Sequence, residues 1–230
     1  MNELVSICIP TWEMNGVGVE VLRHSLARVN LQTYKNVEVC ITDHSKNHDI
    51  EKLCKEFSAF LRISYHRTET KRGSPSHNTN QSIIKATGDI LKLLCMDDVL
   101  YDQYSIQHIV EAFQNPAVKW LASAYCHTTD FKTLYNKHIP SIREDIHIIN
   151  TLGTPSAISI RKGFFVPFDE ELVFSYDACF YKEMLTKFGA PFILDKITMI
   201  NYLHPNQVTN TIANEQLRER ELIYVKEKFA

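Results

Sequence analysis

The sequence predicts an α/β fold, a doubly wound and mostly parallel sheet in a single domain spanning residues 1–230, and three observations carry it. Short apolar runs alternate with stretches of helical spacing through the first hundred residues. Those runs close on Pro10-Thr11, Asp43 and Asp97-Asp98, the polar punctuation expected where parallel strands open onto a ligand. A composition 44% hydrophobic is enough for one full core.

Each element has its own signal. Val5 to Ile9 reads as a strand that stops at Pro10, and Gly16 to Asn30 carries Val19, Leu22, Leu26 and Val29 at helical spacing. Val37 to Ile41 is the second strand, followed by a helix bearing Ile50, Leu53, Cys54 and Phe57, and Leu61 to Tyr65 alternates as a third. After a polar loop from Arg67 to His77, Asn78 to Ala86 forms a helix closed by Gly88, and Ile90 to Cys95 is the fourth strand. Further on, Tyr104 to Phe113 is a helix and Val118 to Tyr125 a strand, while Thr128 to Asn150 matches no period. Ala157 to Ile160 alternates and is expected at the far edge of the sheet. Tyr176 to Phe188 is a helix ending at Gly189, Phe192 to Leu194 and Ile197 to Tyr202 are strands, and Thr211 to Ala230 is a charged helix.

Composition excludes several function classes. A formal charge of -2 offers nothing to a nucleic acid. None of the six cysteines has C-x-x-C spacing, and Cys8, Cys40 and Cys95 sit in apolar runs, so they read as reduced core residues of a cytoplasmic protein. No transmembrane segment is expected, and peripheral contact with a membrane surface stays open. The first strand leads into Pro10-Thr11-Trp12-Glu13 rather than G-x-G-x-x-G, and no Gly-Lys-Ser or Gly-Lys-Thr occurs, so neither glycine-rich phosphate loop is present. His24, His48, His108 and His127 form no zinc motif.

Asp97-Asp98 carries the most chemistry. Two adjacent carboxylates at the end of a buried strand repel unless a cation, an arginine or water offsets them, and a divalent metal carrying a phosphate does so. The same pair also suits a solvated turn capping the next helix.

In order along the chain, Pro10-Thr11, Thr42-Asp43-His44-Ser45, Gly73 to Asn80, Ala86-Thr87-Gly88-Asp89 and Leu93 to Asp98 resemble the nucleotide-sugar half of the inverting glycosyltransferases of family 2, with the type A fold. The resemblance implies a nucleotide-diphosphate sugar donor held by residues 1–100 and an acceptor half in residues 101–230. Carried onto this sequence, Pro10, Thr11, Trp12 and Glu13 approach the base and Asp43 contacts it. Arg72, Asn78 and Asn80 line the donor site, Asp97 meets the ribose or a metal-bound water, and Asp98 holds Mn2+ or Mg2+ on the diphosphate. Many members carry another aspartate where this chain has Cys95.

The resemblance continues through Gly153 to Ser156, Phe168 to Leu172 and Ser175-Tyr176-Asp177-Ala178, which makes Asp177 the catalytic base. Its place in the first turn of a helix is expected to lower its pKa. His204, within Tyr202 to Thr209, then completes the metal shell. The implied reaction moves a sugar to a hydroxyl of a glycan, polysaccharide or lipid-linked acceptor.

Other readings of the same residues stand beside these. Asp169, Glu170 or Glu171 could serve as the base, Asp43 and Ser45 could simply shape a turn, and Asn78 and Asn80 could cap their helix. Nucleotidyl transfer to a sugar phosphate and noncatalytic sugar binding are the rival functions.

Overall fold

The computed structural model describes residues 2–230. The chain forms β1 (Val5–Thr11), α1 (Gly18–Asn30), β2 (Val37–Asp43), α2 (Asp49–Phe57), β3 (Ile63–Arg67), α3 (Pro75–Ile84), β4 (Ile90–Leu93) and β5 (Val99–Leu100). It continues through α4 (Ser105–Phe113), β6 (Trp120–Thr128), β7 (Tyr135–His138), β8 (Ile158–Arg161), α5 (Tyr176–Phe188), β9 (Phe192–Tyr202), α6 (Val208–Thr211) and α7 (Glu215–Lys228). One nine-stranded sheet runs in the order β3-β2-β1-β4-β8-β6-β9-β5, with β7 on β6. Its long pairings, β1 with β2 and β6 with β9, are parallel, whereas the antiparallel contacts of β8 with β4 and β6 cover three residues each.

Alternation along the strands divides the core. Ile7, Ile9, Val39 and Ile41 face Leu22 and Leu26 of α1 and Ile106, Ile109 and Phe113 of α4. Cys8, Cys40, Leu91 and Leu93 face the other way, into a layer with Trp120, Ile160, Phe168, Phe180 and Met184. Both faces of the sheet are therefore covered, which is why the central strands read as nearly continuous apolar runs.

Several elements differ from the sequence expectation. Ile158 to Arg161 lies between β4 and β6 in the middle of the sheet rather than at its far edge. Ile158, Ser159 and Ile160 are all fully buried, so the strand is covered on both faces. Phe192–Tyr202 is one strand, not two, with a register shift around Asp195 and Lys196. Helix α3 starts at Pro75, because Ser74 accepts a hydrogen bond from the His77 amide at 3.2 Å and proline suits the first helical position. Asn78 and Asn80 are thus interior to the helix and do not cap it. The C-terminal helix packs on its own chain through Glu221 and Val225. Among the described residues no helix is long and apolar enough to cross a membrane.

The turn into β4 is tied to the first two strands. Buried Glu38 on β2 accepts from the Ser6 hydroxyl at 2.6 Å, the Thr87 amide at 2.7 Å and the Thr87 hydroxyl at 2.8 Å. Burial pushes its carboxyl up, yet these bonds and Arg62 hold it below the usual range. Gly88 sits here rather than at the end of α3: a Cβ on it would lie 2.5 Å from the Leu4 carbonyl and 2.9 Å from the Ser6 nitrogen. Gly88→Ala should therefore cost about 1–3 kcal/mol, read as a lower urea midpoint with an unchanged slope.

Candidate active site

A cleft of about 680 Å3 opens at the carboxyl ends of β1 and β4. Pro10, Trp12 and Asn78 form one wall, and Cys95, Asp97 and Asp98 lie beneath it. Asn150, Tyr176 and Asp177 face them, while Leu203, Arg218 and Leu222 contribute from the C-terminal segment. Strand ends supply the first two groups because β1 and β4 pair in parallel and deliver their loops to the same edge.

The two neighbouring aspartates have different surroundings. Asp98 is 1% exposed, and its Oδ1 accepts from the Asn201 side chain at 2.9 Å and the Tyr202 amide at 3.1 Å. The Thr154 hydroxyl donates to its other oxygen at 3.4 Å. Burial and then the adjacent Asp97 charge raise its pKa. Asp97 instead faces the cleft, and its Oδ2 meets Nε2 of His204 at 2.7 Å. Nδ1 of His204 accepts the Asn206 amide at 3.2 Å, so the neutral ring carries its proton on Nε2 and donates it to Asp97. The pair caps no helix: β5 follows directly and α4 begins only at Ser105.

Cys95 and Lys92 complete this floor. Burial and the two carboxylates push the Cys95 thiol up, so it stays protonated. Lys92 is fully buried in β4 and donates to the Ser156 carbonyl, and burial lowers its pKa to about 7 against the opposing pull of Asp98. Ser156 in turn accepts the Cys95 amide at 2.8 Å.

Asp177 stands in the first turn of α5. Its Oδ2 accepts from the Asn150 side chain at 2.9 Å and its Oδ1 from the Ala178 amide at 2.7 Å. The expectation of a lowered pKa is overturned. Burial pushes the carboxyl up to about 7, outweighing the helix amides and Asn150, which pull it down. A carboxylate poised there can take and release a proton near neutrality. Two of the other acidic residues proposed from sequence are committed elsewhere, and the third, Glu171, is exposed. Asp169 is held by Tyr224 and Lys228, and Glu170 by Lys71, His77 and Asn80.

The cleft wall thus brings together Pro10, Trp12, Asn78, Asp97, Asp98 and Asp177. Six predicted residues do not line it. Thr11 and Asp43 are fully buried, with Asp43 accepting from Thr11, Ser45 and Tyr65, an internal knot that shapes the turn after β2. Asn80 bonds the backbone of Phe168 in both directions. Glu13 accepts the Lys46 amide, and exposed Arg72 pairs with Glu69. His204 reaches the site through Asp97. Sequence reasoning missed Asn150, Asn201, Lys92 and Glu221; of these only Lys92, a lysine inside an apolar run, carried a local signal.

A model of the family described as Glycosyl transferase family 2 matches residues 6–185. A search of curated proteins gave no match. Among solved structures, the chain is similar to residues 1-349 of S. aureus TarS in complex with UDP-GlcNAc, with a TM-score of 0.74 and 13% identity over 96% of this chain and 66% of that one. It is also similar to the mannosyltransferase PcManGT from Pyrobaculum calidifontis in complex with GDP-Man and Mn2+, with a TM-score of 0.65 and 14% identity over 88% of this chain and 57% of that one. The chain spans 60% of the length of TarS 1-349 in another of its crystal structures. These likenesses are of fold, the mixed and mostly parallel sheet of the type A glycosyltransferases. With the family model matching most of its length, the chain belongs to glycosyl transferase family 2.

Proposed function

We propose that this protein is an inverting glycosyltransferase that moves a hexose-type sugar from a nucleotide diphosphate to an acceptor hydroxyl. The observation that carries the reading is a single cleft holding Asp97, backed by His204, on one side and a proton-accepting Asp177 on the other. TarS bound to UDP-GlcNAc and PcManGT bound to GDP-Man support a nucleotide-sugar donor.

In the proposed step, the acceptor hydroxyl gives its proton to Asp177 as its oxygen bonds to the anomeric carbon. The bond from that carbon to the diphosphate oxygen breaks on the opposite face, and the electron pair leaves with the nucleotide diphosphate. One base and one displacement invert the configuration. Asn150 holds one oxygen of Asp177 and thereby orients the carboxylate. A glycan, polysaccharide or lipid-linked sugar suits the rim, where Ile148, Phe174 and Leu222 offer apolar surface for a sugar ring.

No group of three or more His, Cys, Asp or Glu side chains among the described residues is arranged to hold a metal. Divalent ions that travel with diphosphates commonly take one or two protein donors and fill the rest with phosphate oxygens and water, so the donor pair Asp97 and His204 fits Mn2+ or Mg2+. Asp97 replaces Asp98 in this assignment because Asp98 already spends its oxygens on protein donors. Ligation through Nε2 would move the His204 proton to Nδ1 and end the Asn206 bond. Bound there, the ion would offset charge on the departing diphosphate.

Asp177→Asn should lower transfer by about 10²–10⁴-fold while nucleotide binding measured by titration calorimetry is retained; near-normal turnover would sink the role. Because the base works ionised, the wild-type rate should fall as pH drops through about 7. The folded pKa lies above the ordinary value, so ionising Asp177 costs stability as pH rises towards 7. Asp177→Asn should accordingly melt no lower than wild type at alkaline pH. Titration of UDP and GDP with and without Mn2+ tests the donor site. Asp97→Asn should lose the Mn2+-dependent part of binding, and binding that ignores both Mn2+ and the substitution would overturn the metal assignment.

A further inference from the structure

Helix α7 lies beyond residues 6–185, the stretch matched by the family model, and it packs with little apolar surface. Glu221 and Val225 are its buried residues. Glu221, 1% exposed, receives three consecutive backbone amides: Val173 at 2.8 Å, Phe174 at 3.0 Å and Ser175 at 2.7 Å. Three successive amides converging on one point form an anion nest, and here the chain fills it with its own carboxylate. One turn earlier, the Arg218 guanidinium lies 4.2 Å from the centre of the Phe174 ring. Ser175 is the residue before α5 and makes no side-chain cap, so the nest ends where the helix bearing Asp177 begins.

We propose that Glu221 is a positioning residue for the transfer reaction: its carboxylate latches the Val173–Ser175 loop, sets the entry of α5, and so fixes Asp177 against the acceptor side of the cleft. The inference rests on the reading of Asp177 as the base. The latch also places a negative charge near that base. The groups facing Asp177 are Tyr176 and Tyr181 of α5, Tyr125 of β6, Asn150 and Glu221. Arg218 and His147 line the same cleft. The three tyrosines are pushed up by burial and stay neutral, and burial lowers His147, whereas Glu221 raises the Asp177 pKa.

Glu221→Gln tests this with little change of shape, since its amide can serve only one side of the nest and turns a donor towards the other. Lys228→Met is the control. Lys228 anchors α7 to Asp169 and Glu183, both at 2.6 Å, without touching the nest. Amide hydrogen exchange on the full chain should show Glu221→Gln losing protection at residues 173–177 by about tenfold or more, with Lys228→Met unchanged there. With the donor that binds, kcat should fall about tenfold or more at nearly constant donor KM, and the acid limb of the rate profile should move to lower pH. Unchanged exchange at 173–175 in Glu221→Gln would overturn the latch, as would an equal loss in Lys228→Met, which would signal general undocking of α7. Exchange decides the latch without any turnover. A wild type that transfers nothing, beside a Glu221→Gln that loses protection, would leave the latch standing and remove only the glycosyltransferase reading.

Discussion

A carboxylate taken out of water must find donors or a cation, and the burial of Asp98 imposes that demand on two distant parts of the chain. Its partners come from Asn201 and Tyr202 at the end of β9 and from Thr154 in the turn before β8. Satisfying one buried group thereby pins the ends of β4 and β9 and that turn to one point. His204 follows two residues after Tyr202 and falls against Asp97, and Ser156 falls against the Cys95 amide. The inner aspartate organises the site, and the outer one is left to face the cleft.

Around its aspartates the cleft is short of positive charge, its arginine, Arg218, coming from the C-terminal segment. Asp98 and Asp177 are both pushed up by burial, and buried Lys92 is pushed down to about 7. A folded core gains nothing from such groups, since a buried charge costs more than an apolar replacement unless it is well paired. In the reaction proposed above, these are the groups that would receive a cation on one side and a proton on the other. Local rules of stability are broken at the site and obeyed around it.

Outside the family-matched stretch, α7 meets the same physical demand in reverse. Three backbone amides ahead of α5 need an acceptor, and a helix without a continuous apolar face needs an anchor. Glu221 answers both, with Val225 beside it in a small cluster with Leu172 and Cys179. The Asp177 side of the cleft is thus held by polar contacts that a search for apolar periodicity passes over.

Alternating apolar runs and their polar ends were enough, from sequence, to give the α/β class and the parallel pairing of the first strands; they marked Asp97 and Asp98 as candidates, and the family resemblance marked Asp177. Periodicity and strand-end chemistry are local properties, and a chain displays them residue by residue. Tertiary structure alone decided which aspartate faces the cleft, that Ile158–Arg161 is central, that Asp43 is knotted inward, and that Asp177 is raised rather than lowered. Each of these depends on burial or on partners distant along the chain, such as Asn150, 27 residues from Asp177, and Asn201, 103 residues from Asp98. Solvation and distant partners do not exist until the chain has folded, so no pattern along it can encode them in legible form.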